Sequence, residues 1–422
     1  MGARTRDARG SVRRGRVRRG PPGPHVLVTL VAAVGLLVPA GTVTAAAGVR
    51  TAPPDVPTTF THPGVHVSRP QLDFVRQQVQ AGAQPWLRAY DSMMASRYAS
   101  LSYTPHPRAV VECGPYSEPN HGCTEERDDA IAAYTHALAW SVTEDTRYAK
   151  KSIAIMNAWS PVIEDHTRSN APLQTAWAGS VWPRAAEIIR YTDAGWAAAD
   201  VDRFETMLRD VYLPEVIDGY NGSGNWELTM MEAAVGIAVF LDDRDIYSSA
   251  RERFLVRVPA YIYLTSDGPV PRTVPGSGRD TPDEIFSYWH DQRTLVDGLA
   301  QETCRDFTHT GYGISAISHV AETAAIQGDD LYPEVGERLR HALEFHSTYE
   351  QGAAVPSWLC GGSVQLGLGP VTEVGLNALH GRQDLPMAST QALTESTRPD
   401  GTNGLFVAWE TLTHADNPHV LR

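Results

Sequence analysis

The sequence predicts an all-α protein, an (α/α) toroid built as an incomplete barrel of helical hairpins. From Ser68 onward, apolar residues recur at three- and four-residue spacing almost to the end of the chain, the period of amphipathic helices. No run alternates convincingly with period two, which excludes a large β-sandwich while leaving room for short strands in 354–368. An acidic hinge ending in tyrosine recurs at 142–148, 241–247 and 326–332, each time joining two apolar-periodic segments. The acidic residues of such a hinge suit the start of the second helix, as caps and as charges facing the helix dipole, and the tyrosine can pack back onto the pair. Unequal spacing between the hinges argues against a regular solenoid.

Taken in order, residues 1–20 carry eight arginines, and an apolar run at 26–40 interrupted by Gly35 and Pro39 leads to the small residues Ala45, Ala46 and Ala47. This is the pattern of a signal peptide spanning 1–47, exported by the general route. The run is short of the about 20 residues a membrane-crossing helix needs, although the basic head would also suit a retained anchor. Residues 48–67 form a Pro- and Thr-rich lead-in, and 68–422 read as one domain without an internal linker. Helices are expected over 128–142, 146–159, 177–191, 200–211, 225–241, 245–263, 283–299, 310–326 and 333–350.

The formal charge of the whole chain is −13, and loss of 1–47 removes eight Arg and one Asp to leave −20. A broad nucleic-acid-binding face is therefore excluded, and an anionic substrate has to be held by a local cationic pocket. Of the three pairings open to Cys113, Cys123, Cys304 and Cys360, 113 with 123 and 304 with 360 is favoured, because the first closes a short Gly/Pro-rich loop. Cys and His are too widely spaced for a zinc site, no carboxylate cluster has calcium spacing, and neither metal nor cofactor is expected. Oligomeric state is left open.

Three segments carry chemistry. At 222–226 (GSGNW), Asn225 falls at the start of an apolar helix, where backbone N–H groups favour an anion and its amide can donate to a carboxylate. The competing reading makes Asn225 a plain cap and Trp226 core. At 283–293 (DEIFSYWHDQR), Tyr288, Trp289, His290, Asp291 and Arg293 crowd into one and a half turns. His290 beside Asp291 is a candidate base, and Tyr288 and Trp289, with Trp226, are candidate platforms for a sugar ring. At 301–313 (QETCRDFTHTGYG), Arg305 offers a bidentate fork for a carboxylate, His309 a titratable base, and Tyr312 a phenol able to shuttle a proton. Pairing of Arg305 with Glu302 or Asp306 is the structural alternative.

In 62–64 (HPG), 224–227 (GNWE) with its long apolar helix, and the run from 301–306 to 309–312, the chain resembles the alginate lyase superfamily of helical-toroid polysaccharide lyases. The resemblance implies a secreted enzyme that cleaves a polyuronate by β-elimination. In its family-5-type members an Asn–His pair, an Arg and a Tyr seven positions later form the catalytic set, which maps here onto Asn225, Arg305 and Tyr312. Trp226 stands where the histidine would be, so the histidine comes from elsewhere, with His290 the first choice and His309 the second. Asn225, Arg305 and the histidine would neutralise the uronate carboxylate. Tyr312, its pKa lowered by Arg305 and histidine neighbours, would take the C5 proton and return one to O4. Trp182 and Arg184 (181–184, VWPR) are secondary candidates for a sugar platform and a carboxylate contact. The rivals are an inverting hydrolase using Asp283 or Glu284 with Asp306 or Glu373, and a non-catalytic glycan-binding protein.

Overall fold

The computed structural model describes residues 56–419; the expected signal peptide lies outside the described residues. The helices are α1 (Arg69–Gln80), α2 (Trp86–Ala95), α3 (Cys123–Thr143), α4 (Thr146–Trp159), α5 (Ala171–Arg190), α6 (Ala198–Met207), α7 (Leu213–Val216), α8 (Gly224–Phe240), α9 (Arg244–Tyr261), α10 (Pro282–Tyr288), α11 (Phe307–Ile326), α12 (Tyr332–Glu350), α13 (Glu373–Leu376), α14 (Ala388–Thr397) and α15 (Glu410–His414). Contacts run in a ring: α3 packs on α5, α5 on α8, α8 on α11, α11 on α13, α13 on α15, and α15 returns through α1 to α3. Outer helices α4, α9 and α12 lean on α3, α8 and α11 as the second arms of hairpins. This is an all-α toroid, as the periodicity predicts. No helix among the described residues is long and apolar enough to cross a membrane.

The inner helices are predominantly apolar round their whole circumference because they are covered on nearly every side. All of α8 is buried except Trp226, and all of α11 except Thr308, His309 and Tyr312. Three of these four exceptions line one cleft. Two of the hinges are capped as expected, Asp145 accepting from the Arg147 N–H and Asp243 from the Ile246 N–H. At the third the cap position is Leu331, and Asp330 instead accepts from the Tyr332 N–H at 3.0 Å. The hinge tyrosines do pack inward, Tyr247 donating to Asp329 and Tyr332 to Glu322.

Two readings need correction. The helix expected over 283–299 stops at Tyr288, because His290 and Asp291 adopt left-handed conformations (φ 55° and 59°) that end it. The short strands lie not in 354–368 but in a small sheet of order β2–β1–β3, formed by β1 (Val110–Cys113), β2 (Asn120–His121) and β3 (Asp165–Thr167). Both disulfides form with the favoured pairing, Cys113–Cys123 and Cys304–Cys360. The first staples a loop beside the mouth of the ring. The second fastens the irregular stretch between α10 and α11, where Gln292 also accepts from the Cys360 N–H at 2.9 Å.

Candidate active site

Tyr261, at the end of α9, packs its ring against both Gly224 and Gly313, where any Cβ would overlap it. These two glycines let the start of α8 and the first turns of α11 approach one residue from opposite sides. That approach brings the GNW and THTGY segments together. Between them runs a cleft of about 470 Å³ whose lining includes Tyr116, Arg127, Trp177, Tyr220, Trp226, Arg305, His309 and Tyr312.

Asp306 caps α11, accepting from the His309 N–H at 2.7 Å and lying 2.7 to 2.8 Å from His309 Nδ1. In the neutral tautomer that donates from Nδ1 to Asp306, His309 Nε2 carries a free lone pair, as a proton acceptor needs. The Asp306 carboxyl is held low, burial notwithstanding, by hydrogen bonds from His309 and by Arg305. The His309 and Tyr312 rings meet edge-on at 5.6 Å. Burial, with Asp306 adding to it, pushes the Tyr312 phenol up, against the pull of Arg127 and Arg305. The expectation of a lowered phenol is therefore corrected: removal from water outweighs the two guanidiniums.

Arg305 donates from Nη1 to Glu302 Oε1 at 2.8 Å and still lines the cleft, so the structural pairing and access to the site coexist. Glu302 is buried and also accepts from the Asn225 Nδ2 and backbone N–H, at 2.6 and 3.2 Å, and from the Tyr261 hydroxyl at 3.2 Å. The anion at the start of α8 is thus the protein's own Glu302. Asn225 is fully buried behind it, does not line the cleft, and is not the cap, which is Ser223.

Two lining residues escape a sequence reading. Arg127, in α3, is 8% exposed and makes no ion pair among the described residues. It donates to Gln174 Oε1 at 3.0 Å, its Nε has no partner, and its guanidinium lies 5.3 Å over the Trp177 ring. Buried Trp177, in α5, leaves its Nε1 without a partner and faces Tyr312 edge-on at 6.2 Å. In sequence, Arg127 sits among Glu125, Glu126, Asp128 and Asp129 and looks like part of a solvated charge run. The clue is that this run opens a helix whose following turns are almost wholly apolar, so its own charges cannot all be solvated. Trp226 stacks on Tyr220 at 4.5 Å with 22° between planes, forming a flat aromatic wall.

The model of the family described as alginate lyase matches residues 114–355, more than half of the chain. The chain belongs to the alginate lyase family. Alginate lyase A1-III from Sphingomonas species A1 shares its fold, with a TM-score of 0.58 at 17% identity over 84% of this chain and 97% of that one. A histidine-to-alanine variant of A1-III complexed with tetrasaccharide superposes at 0.60 and 16% identity, covering 84% of this chain and 96% of that one. An alginate lyase from Bacteroides ovatus reaches 0.50 at 13%, covering 84% and 100%. At such identities the likeness to these structures is one of fold. No curated protein matches the chain.

This alginate lyase family member is a polysaccharide lyase, and its cleft gathers Arg305, His309, Tyr312 and Trp226 but not the other candidates. His290 is exposed at its surface in the turn that ends α10 and does not line the cleft; partial removal of its ring from water lowers its pKa, with Glu302, Arg305 and Asp306 in electrostatic range. Trp289 is 1% exposed, in a small core with Tyr263, Ile285, Leu299 and Leu359. Tyr288 donates to the Gly222 carbonyl at 2.7 Å and lies under Arg279, bracing the loop that carries Tyr220 and Ser223. Trp182 is fully buried against Trp159 and Phe204 and donates to the Tyr212 hydroxyl, which removes it as a sugar platform. Arg184 is equally buried, bonded to Glu232 and the Phe406 carbonyl, and cannot meet a polymer. The carboxylates proposed for hydrolysis do not face one another across the cleft either. Asp283 and Glu284 are exposed on α10, Asp306 is committed to His309, and Glu373 is buried against Arg398.

Proposed function

We propose that the chain is a secreted lyase that cleaves a polymer of mannuronate or glucuronate by β-elimination, with Tyr312 as the proton shuttle. The observation that carries this reading is a cleft lined by two arginines, a histidine and three tyrosines, Tyr312 beside the histidine, and by no carboxylate. Such a lining suits a polyanion and lacks the paired acids of a hydrolase.

The C5 proton of a uronate is poorly acidic until the charge on its carboxylate is neutralised. Arg305 and Arg127 supply that neutralisation in a partly water-shielded cleft, where one preorganised donor is worth about 3 kcal/mol. Asn225 contributes indirectly, by holding Glu302 and through it Arg305. Because Tyr312 rests as a phenol, it must first shed its proton, and His309 Nε2, oriented by Asp306, is the acceptor. The phenolate takes the C5 proton, electrons shift to form the C4–C5 double bond as the C4–O4 bond breaks, and the phenol protonates O4. The phenolate is then ready for the next cycle. Trp226 and Tyr220 form the wall on which a sugar ring stacks.

Trp226 stands in the place of the family histidine, and His309, beside Tyr312, is the one histidine among the described residues that lines the cleft. One tyrosine serves both proton transfers only where H5 and O4 lie on the same side, as in mannuronate and glucuronate. Export fits the two disulfides and the composition of 1–47, with processing after Ala47.

The test is near-ultraviolet absorbance of the unsaturated product on polymannuronate, glucuronan and polyguluronate, beside Tyr312→Phe. The first or second polymer should give a rise that the variant loses by at least 100-fold, on the scale of a lost proton-transfer group. New reducing ends without absorbance would sink elimination, and turnover of polyguluronate would sink the same-side restriction.

A further inference from the structure

Beneath the cleft floor, His66, His319 and Glu410 bring one potential ligand atom each to within 4.8 Å of one another. All three are 1% exposed. We propose that they bind a divalent transition-metal ion of the zinc class as a structural site, independent of the lyase chemistry.

His66 is the first ground. Both of its ring nitrogens are buried without any hydrogen-bond partner, and its backbone is held in the left-handed region at φ 67°, which a non-glycine residue adopts at a cost. Most buried histidines satisfy at least one nitrogen; His136 shares the lack of partners, but only His66 has two further ligand groups gathered beside it among the described residues. His319 is the second. Its Nδ1 lies 2.9 Å from Glu232 Oε1 and 3.0 Å from Arg184 Nη2, and its Nε2 2.7 Å from Glu410 Oε1. A carboxylate behind one ring nitrogen, fixing the tautomer so that the other can ligate, is the arrangement that supports metal-bound histidines. Third, Glu410 Oε2 and Glu232 Oε2 are both buried and unpartnered.

A proton shared between His319 and its two carboxylates would satisfy that ring but leave His66 and both orphaned oxygens unexplained. An ion accounts for His66 and gives the Glu410 carboxylate a second role. Two imidazoles and a carboxylate are donors that zinc accepts, and ligands at about 2.1 Å from such an ion can stand up to about 4 Å apart, so only a small closure is required. Glu232 and Glu410 against Arg184 leave one net negative charge to receive the ion once His319 ligates as the neutral imidazole.

The site would join the lead-in segment through His66, α11 through His319, and α15 through Glu410. Its position is also defined relative to the cleft: the Phe406 ring lies 6.0 Å from His319 and 6.1 Å from Tyr312. The sequence expectation of no metal overlooked it because the three donors are scattered over more than 340 positions.

The experiment is elemental analysis of the full chain, produced without an affinity histidine tag, after incubation with zinc chloride and desalting. One zinc per chain is expected, falling at least tenfold in His66→Ala, with far-ultraviolet circular dichroism unchanged. His66→Gln, closer in volume, replaces it where the alanine variant does not fold. Cobalt(II) in place of zinc should give a visible d–d band that the same variant loses, and a chelator should lower the melting midpoint of the parent but not of the variant. No bound metal in the parent, or equal zinc in parent and variant, would overturn the site.

Discussion

At the scale of single residues, the balance of charges around Tyr312 decides what the cleft can do. Burial raises the phenol while Arg127 and Arg305 pull it down. Loss of either cation therefore raises it further and shrinks the phenolate fraction at any neutral pH. Arg127→Gln should move the alkaline-rising limb of the kcat/KM profile to higher pH and lower activity at neutral pH by on the order of 100-fold, the size of losing one preorganised donor. A profile that stays in place with only KM raised would reduce Arg127 to a remote contact. Glu302 deepens the point: it accepts from Asn225 and Tyr261 while pairing Arg305, so the guanidinium meets the substrate already oriented.

At the scale of elements, the irregular stretch from the end of α10 to the start of α11 delivers Arg305 and is held by the Cys304–Cys360 bond. Closing a loop of that length removes about 4 kcal/mol of chain entropy from the unfolded state. Cys304→Ala with Cys360→Ala should lower the melting midpoint and reduce activity more than stability, because Arg305 adjoins the lost anchor; unchanged kinetics would show that Glu302 alone positions Arg305. Most helices were legible, since their period reports burial directly: 146–159 coincides with α4, and 225–241 is within one residue of α8 at each end. The helix read over 283–299 failed because left-handed His290 and Asp291 leave no trace in periodicity. Arg305, His309, Tyr312 and Trp226 were legible as a local crowd of polar and aromatic groups. Arg127 and Trp177 were not, because what qualifies them is a missing partner, and partners are set by tertiary packing. The same reason misplaced Trp182 and Arg184.

At the scale of the molecule, charge and closure matter. An acidic protein acting on a polyanion is repelled at long range and attracted only at its arginines. Raising salt from a few millimolar toward about 0.1 M, where the screening length is about 10 Å, should increase kcat/KM on long polymer before higher salt weakens the arginine contacts. A monotonic fall would mean that local attraction dominates at every range. Acid should destabilise the fold. His136 and His346 are pushed down to about 4 by burial, so between pH 6.5 and 4 they take up protons on unfolding. Asp267, held low by Arg338 despite burial, acts in the same sense, losing its contribution as pH falls through its folded value. Glu373, pushed up to about 7 by burial, opposes them, since its contribution is present at low pH and lost as pH rises through 7. The melting midpoint should fall from pH 6.5 to 4 in a fluorescence melt; a rise would assign control to the carboxyls that burial raises, Glu373 with Glu187, Asp129 and Asp400. Finally, the His66 carbonyl accepts from His414 Nε2, 348 positions away, where α15 closes the ring. A chain made from its N-terminus forward therefore stays an open arc through α14, unable to seal its own core until α15 emerges. The proposed export as an unfolded thread would ask nothing of such a fold that its order of synthesis does not already impose.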